Sequence, residues 1–244
     1  MRAPAVRTAG QDATLSNPLV VCQAVSRDYG EGTARVAAVR QVSCGVGPGA
    51  RIAVTGRSGS GKSTLLHLMA GLDTPTSGTI NWPGLGGAPH GRPGSVGVVF
   101  QGPSLLPELT ALENTALPRL FDGHSSGCAA SRAAEALRRL GVEDLSDALP
   151  DQLSSGQAQR VAIARALASR PRLILADEPT GRLDAATGAQ VITALLDVAD
   201  EIDAGLVVAT HDPAVALRLT ESWQMNDGRL AVTTHRANQP EERS

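Results

Sequence analysis

Lysine is all but missing from this chain. Lys and Arg together number 22, and every one is arginine except Lys62. A composition rich in Ala, Gly, Pro and Arg accounts for the arginines as a bias, but it does not explain the one position where lysine was spared. An excess of positive charge is also missing: the formal net charge is -2 and the sequence pI is about 6.2. That argues against a dedicated nucleic-acid binder, because phosphate backbones select a basic face and a high domain pI. Cysteines are few. Cys22, Cys44 and Cys128 are odd in number, widely spaced and lack a CxxC pair, so neither a disulfide framework nor a zinc site is expected, and a reducing cytoplasm is the natural setting. No apolar run reaches the roughly 18 uncharged residues that span a bilayer, and the first residues show no basic start followed by an apolar core. Any membrane role is expected to come through a partner.

Hydrophobic residues make up 42% of 244, enough to bury a continuous core in one composite domain. Residues 1–17 are rich in Ala, Thr, Pro, Gln and Asn without periodicity, and 237–244 are polar, so both ends are expected to be disordered tails flanking a domain over 18–236. Leu19-Val20-Val21 and Arg35 to Val39, separated by a Gly-rich turn, predict an antiparallel β region between Leu19 and Val46. Arg51 to Thr55 is a compact apolar strand, followed by a Gly/Ser loop and a helical pattern from Thr64 to Ala70. Asn81 to Gly94 is dense in Gly and Pro and predicts a loop before a strand over Val96 to Phe100. Helical spacing then dominates 103–168, most clearly in Ser131 to Leu140 and Gln157 to Ala168, which predicts an inserted helical subdomain. Leu173 to Ala176 and Leu206 to Ala209 are uninterrupted apolar strands around a helix at Ala189 to Ala199. Apolar strands alternating with helices predict an α/β fold with a parallel sheet covered on both faces.

Gly56-Arg57-Ser58-Gly59-Ser60-Gly61-Lys62-Ser63 matches G-x-x-x-x-G-K-[ST] at every fixed position. Polyphosphate oxygens are wrapped by backbone N–H groups, which requires glycines that leave room and adopt positive φ, with the helix N-terminus at Ser63 adding partial positive charge and Thr64 after it expected among the ATP-binding residues. Lys62 supplies a point charge to the outer phosphates, and the Ser63 hydroxyl can ligate Mg²⁺. This motif identifies a P-loop nucleotide binder and no more. Asp177 and Glu178 stand at the C-terminal end of an apolar strand, where ligands of open parallel sheets bind. There Asp177 would hold Mg²⁺ and Glu178 would orient and polarise the attacking water.

Upstream, Leu153-Ser154-Ser155-Gly156-Gln157-Ala158-Gln159-Arg160 opens a helix, which makes a second anion site from a helix N-terminus. This segment resembles the LSGGQ signature of ABC ATPases, a family with a P-loop NTPase (RecA-like) core. In that family the signature reaches across a head-to-tail dimer to the γ-phosphate held by the other subunit's phosphate loop. The resemblance assigns further roles in the family's order. Gln101 matches the glutamine that senses Mg²⁺ and the nucleophilic water, Asp184 in Gly181-Arg182-Leu183-Asp184 the aspartate at the dimer interface, and His211 the histidine contacting the γ-phosphate. Tyr29, the only tyrosine, lies where the family places an aromatic that stacks on adenine. The other histidines, His67, His90, His124 and His235, match nothing catalytic.

The resemblance covers roughly Leu19 to Leu230. Leu72 to Gly78, Leu105 to Asn114 and Leu175 to Gly181 are similar to the bacterial lipoprotein-release and macrolide-exporter type. It implies ATP and Mg²⁺ as cofactors, a homodimer or pair of ATPase subunits, transmembrane permease partners, and a place on the inner face of the cell membrane held through them. It also implies mechanical work across a membrane. Two other functions compete: an ABC ATPase acting on nucleic acid or ribosomes, which would usually carry a second cassette or a long coiled-coil insertion, and a module regulating cell-wall or other extracytoplasmic activity without transport. Three features depart from the pattern. Ser155 replaces the first glycine of the signature, Arg182 is larger and more charged than the residues usual in its loop, and the Asn81 to Gly94 segment is short, which predicts a trimmed β region.

Overall fold

In the computed structural model, residues 17–92 and 94–234 are described. The two expected tails, but for Asn17, and positions 235 and 236 lie outside them. The chain runs through β1 (Val20–Tyr29), β2 (Val36–Val46), β3 (Arg51–Thr55), α1 (Lys62–Met69), β4 (Ser77–Asn81), β5 (Val96–Val99), α2 (Ala111–Phe121), α3 (Ser126–Arg139), α4 (Ser155–Ala168), β6 (Leu173–Asp177), α5 (Ala185–Glu201), β7 (Gly205–Ala209), α6 (Pro213–Ala216), β8 (Glu221–Asn226) and β9 (Arg229–Thr234).

The strands form two sheets. One is antiparallel and three-stranded in the order β2-β1-β4; the other has six strands in the order β5-β6-β7-β3-β8-β9. Neighbours from β5 to β8 are parallel, and β9 closes the edge antiparallel to β8. Strands β6 and β7 are buried at every position, as expected of central strands covered on both sides.

Alternation along these strands divides the core. Ile174 and Ala176 of β6, Leu206 and Val208 of β7, and Ala53 of β3 pack with α4 and α5 residues such as Ile163, Val191 and Leu195. Their neighbours Leu173, Leu175, Val207, Ala209, Ile52 and Val54 turn to the other face, against Leu65, Leu68 and Met69 of α1 and Val20 and Val39 of the antiparallel sheet. One strand thus feeds two hydrophobic layers, because successive side chains point to opposite faces.

Between β5 and β6, helices α2, α3 and α4 pack on one another. Thr110 and Glu113 cap α2 reciprocally, the Thr110 side chain accepting from Glu113 N–H while the Glu113 carboxylate accepts from Thr110 N–H. Asn114, fully buried, donates to the Leu106, Leu109 and Thr110 carbonyls and accepts from Leu106 N–H. Helix α4 belongs to both bodies: Ala158, Val161 and Ile163 are buried, and its Gln159 donates 3.2 Å to the Phe100 carbonyl at the end of β5.

Several elements were not expected from sequence. β4 has burial only at Ile80, so its side chains carry no apolar alternation, and its place is set by pairing with β1. The β8–β9 hairpin mixes buried Trp223 and Met225 with exposed polar residues and is fixed by the edge of β3. The segment expected to be a plain loop, 81–94, holds two short 3₁₀ turns at Pro83–Leu85 and Pro89–Gly91, each opened by a proline whose fixed φ suits a first helical position.

Candidate nucleotide site

Four adjacent parallel strands, β5, β6, β7 and β3, end on one side of the sheet. A candidate residue stands at or just past the end of each: Gln101 after β5, Asp177 and Glu178 at the end of β6, His211 after β7, and the Gly56 to Ser63 loop after β3. A cleft of about 800 Å³ is lined by Arg57 through Thr64, Gln101, Asp177, Glu178 and His211, together with Ala38, Gly181 and Arg182. Positions more than 150 residues apart in sequence meet there because parallel strands align their C-terminal ends.

The loop's conformation follows from its glycines. Gly56 has φ 145° and Gly61 φ 104°. A Cβ at Gly56 would collide with the Met225 carbonyl, and one at Gly61 with the Ala38 carbonyl. The loop is therefore pressed between β2 and the β8–β9 hairpin with no room for side chains. Gly228 in that hairpin donates to the Ser60 carbonyl (3.1 Å) and accepts from Arg40 N–H (2.7 Å), bracing the loop from outside. Helix α1 opens at Lys62, one residue earlier than the motif alone placed it, with Gly61 as a left-handed cap.

Lys62 is 7% exposed. Its Nζ donates to the Gly56 carbonyl at 2.9 Å and the Arg57 carbonyl at 3.2 Å. It is thus folded over the loop with its charge compensated by carbonyl dipoles, a pose that keeps the ammonium at the phosphate cradle. Ser60 Oγ is buried without a hydrogen-bond partner among the described residues.

Of the two adjacent carboxylates, Asp177 is 5% exposed and its Oδ1 is also buried without a partner among the described residues. Burial pushes its carboxyl above the usual carboxylate value, against the pull of a hydrogen bond from Ser63. An orphaned carboxylate oxygen beside a hydroxyl suits a divalent cation that takes the rest of its shell from phosphate oxygens and water. Mg²⁺ therefore fits the residues present.

Glu178 differs in its backbone and in its partner. It has φ 48°, outside the usual range for a side-chain-bearing residue, and is held there because its N–H donates to the Ala209 carbonyl (2.9 Å) while its own carbonyl accepts from Gly181 (3.2 Å). The kink turns its carboxylate into the cleft, where Oε2 accepts from His211 Nδ1 at 2.9 Å. A carboxylate only accepts, which places the proton on Nδ1. His211 is otherwise 71% exposed and free to face a ligand.

The remaining expected residues lie apart. Ser154 caps α4, its side chain accepting from Gln157 N–H (3.2 Å) while Gln157 Oε1 accepts from Ser154 N–H (2.8 Å). Ser155 takes the first helical position without a positive φ, so a side chain there introduces no backbone strain. None of Ser154 to Gln157 lines the cleft of its own chain. Asp184 caps α5, accepting from Thr187 N–H (3.0 Å) and hydroxyl (2.7 Å), which hold its carboxyl below the usual range. Tyr29 is 41% exposed and also outside the cleft lining. Its hydroxyl donates to Asp73 (2.7 Å), and the Arg27 guanidinium sits 4.6 Å from its ring centroid. Ala38, Gly181 and Arg182 line the cleft without having been singled out for it.

The family model described as ABC transporter matches residues 39–181, which is more than half of the chain. The chain belongs to the ABC transporter ATPase family. The lipoprotein-releasing system ATP-binding protein LolD of Shewanella denitrificans is 40% identical over 229 residues, 91% of this chain and 98% of that protein. LolD of Shewanella oneidensis is 40% identical over 225 residues, covering 89% and 98%. Among solved structures, the ATP-binding cassette MJ0796, in a dimeric post-hydrolysis state bound to ADP and Pi, superposes with a TM-score of 0.84 at 35% identity, covering 90% of this chain and all of that one. CbiO1 of Clostridium perfringens, part of a cbiONQ transporter complex, gives 0.76 at 26% identity, covering 90% and 89%. The chain is thus an ABC cassette and an ATP hydrolase of that family, with the expected α/β fold: a parallel sheet and an antiparallel N-terminal β region. No helix of the described residues is long and apolar enough to cross a membrane.

Proposed function

We propose that two copies of this chain sandwich two ATP molecules, each nucleotide gripped by the Gly56 to Ser63 loop of one copy and completed by Ser154 to Gln157 of the other, and that closure drives membrane subunits bound to the cytoplasmic side. The observation that carries this reading is the location of the signature. A helix N-terminus with exposed N–H groups is an anion site, yet it stands off the cleft that holds the other phosphate-binding groups. The solved dimeric MJ0796 cassette and the LolD relatives support it.

Within the site, backbone N–H groups and Lys62 bind the outer phosphates, and Thr64 extends the helix end beneath them. Asp177, Ser63 and Gln101 would hold Mg²⁺, which neutralises charge developing on the phosphates when bound. Glu178 orients and polarises the attacking water, and His211, pinned to Glu178 through Nδ1, presents its other edge to the γ-phosphate. Tyr29 stacks on adenine with the ring face that Arg27 does not cover. Asp184 shapes the facing surface of the dimer. The likeness to lipoprotein-releasing ATPases favours force transmission to a membrane partner that acts outside the cytoplasm.

The test is Glu178→Gln. The amide keeps the size and loses the charge, so ATP binding is expected to persist while turnover falls at least about a hundredfold and ATP shifts the protein to a stable dimer in light scattering. Undiminished turnover would remove Glu178 from its role. A variant that binds ATP and stays monomeric at every concentration would remove the sandwich.

A further inference from the structure

Arg182 brings to the cleft a charge that no hydrogen bond or ion pair engages among the described residues. Lys62 is neutralised in part by loop carbonyls and His211 is engaged by Glu178, whereas Arg182 makes no hydrogen bond or ion pair among the described residues and is exposed. Arg57, the other arginine of the lining, belongs to the phosphate loop itself. The Arg182 guanidinium is placed by contact with the main chain. A Cβ built at Gly102 would lie 3.4 Å from one terminal nitrogen and 3.7 Å from Cζ, so the planar group rests over Gly102, next to Gln101, in a cleft that Glu178 and Gly181 also line. Gly102 offers a flat seat because it carries no side chain. A guanidinium without a carboxylate partner, facing a cleft built for anions, has its natural counter-charge in phosphate oxygens.

We propose that Arg182 is a further phosphate-binding residue, one that contacts the terminal phosphate of the nucleoside triphosphate held in the same chain. This rests on the reading of the cleft as the ATP site. Seated at Gly102, next to Gln101, and no part of the loop whose backbone wraps the phosphates, Arg182 is expected to discriminate triphosphate from diphosphate.

The experiment is calorimetric titration of the full chain with Mg²⁺-AMP-PNP and Mg²⁺-ADP, for wild type, Arg182→Ala, Arg182→Lys and Lys62→Ala. Arg182→Ala is expected to weaken triphosphate binding about tenfold and diphosphate binding less than about twofold, with Arg182→Lys in between, because a point charge restores part of the attraction and none of the fork geometry. Equal weakening for both nucleotides, or none for either, overturns the proposal. Lys62→Ala, expected to weaken both, reports on the cleft itself. If wild type binds neither nucleotide, or Lys62→Ala binds both unchanged, the cleft reading falls and takes this proposal with it.

Discussion

At the end of β6 two neighbouring carboxylates differ in their partners, Asp177 with a buried oxygen that has none among the described residues and Glu178 held by His211, and the burial of the first has a measurable consequence. Asp177 is buried, and burial raises its pKa, so the fold favours the neutral acid over the anion. Below the ordinary carboxylate pKa of about 3.9 the group is protonated folded or unfolded and contributes nothing against stability. As pH rises through the raised value the folded state must carry a buried charge, and stability is lost. Asp177→Asn is therefore expected to raise the Tm of the nucleotide-free protein at pH 7 by roughly 2 °C, with the gain vanishing as pH falls toward about 4, while ATP hydrolysis is lost. A lower or unchanged Tm at pH 7 would mean that burial is not what disturbs this carboxylate. The unusual backbone of Glu178 belongs to the same working site, since strained conformations persist where neighbouring hydrogen bonds over-determine them.

At the scale of elements, the helix N-termini carry both structure and chemistry. Ser154 and Gln157 satisfy each other's backbone donors, which leaves Ser155 and Gly156 free to present theirs. With Ser155 at a helical φ, glycine's conformational freedom is not needed. Ser155→Gly is accordingly expected to change turnover by less than about tenfold. Complete loss, or a gain far beyond that, would show that the hydroxyl itself takes part. The capping residues of α4 and α5 were legible in sequence as family motifs, and the structure adds that the same side chains open their helices. The β4 strand and the β8–β9 hairpin were not expected. β4 is polar and takes its place by pairing with β1, whereas β8 does alternate buried Trp223 and Met225 with polar residues and turns into β9 at Asp227-Gly228, a local hairpin signal that the sequence carries.

At the scale of the whole molecule, the chain presents half a site twice over: a cleft without a signature, and a signature without a cleft. In the proposed sandwich a two-fold pairing completes both. Lys62→Ala and Gly156→Asp, each inactive alone, are expected to recover about a quarter of wild-type turnover when mixed in equal amounts and allowed to exchange, because half of the dimers then carry one intact site of two. No recovery would place the whole reaction within one chain.

The nucleotide loop, the paired carboxylates, the signature and the alternation of apolar strands with helices were all readable along the chain, because each is a local pattern whose chemistry depends on neighbouring residues. The seat of Arg182 over Gly102, the hold of His211 on Glu178, the bracing of Ser60 by Gly228 and the separation of Ser154 from its own cleft were not. These depend on which strand lies beside which. That order, β5-β6-β7-β3-β8-β9, is set by burying two hydrophobic layers at once and leaves no mark on any single stretch of sequence.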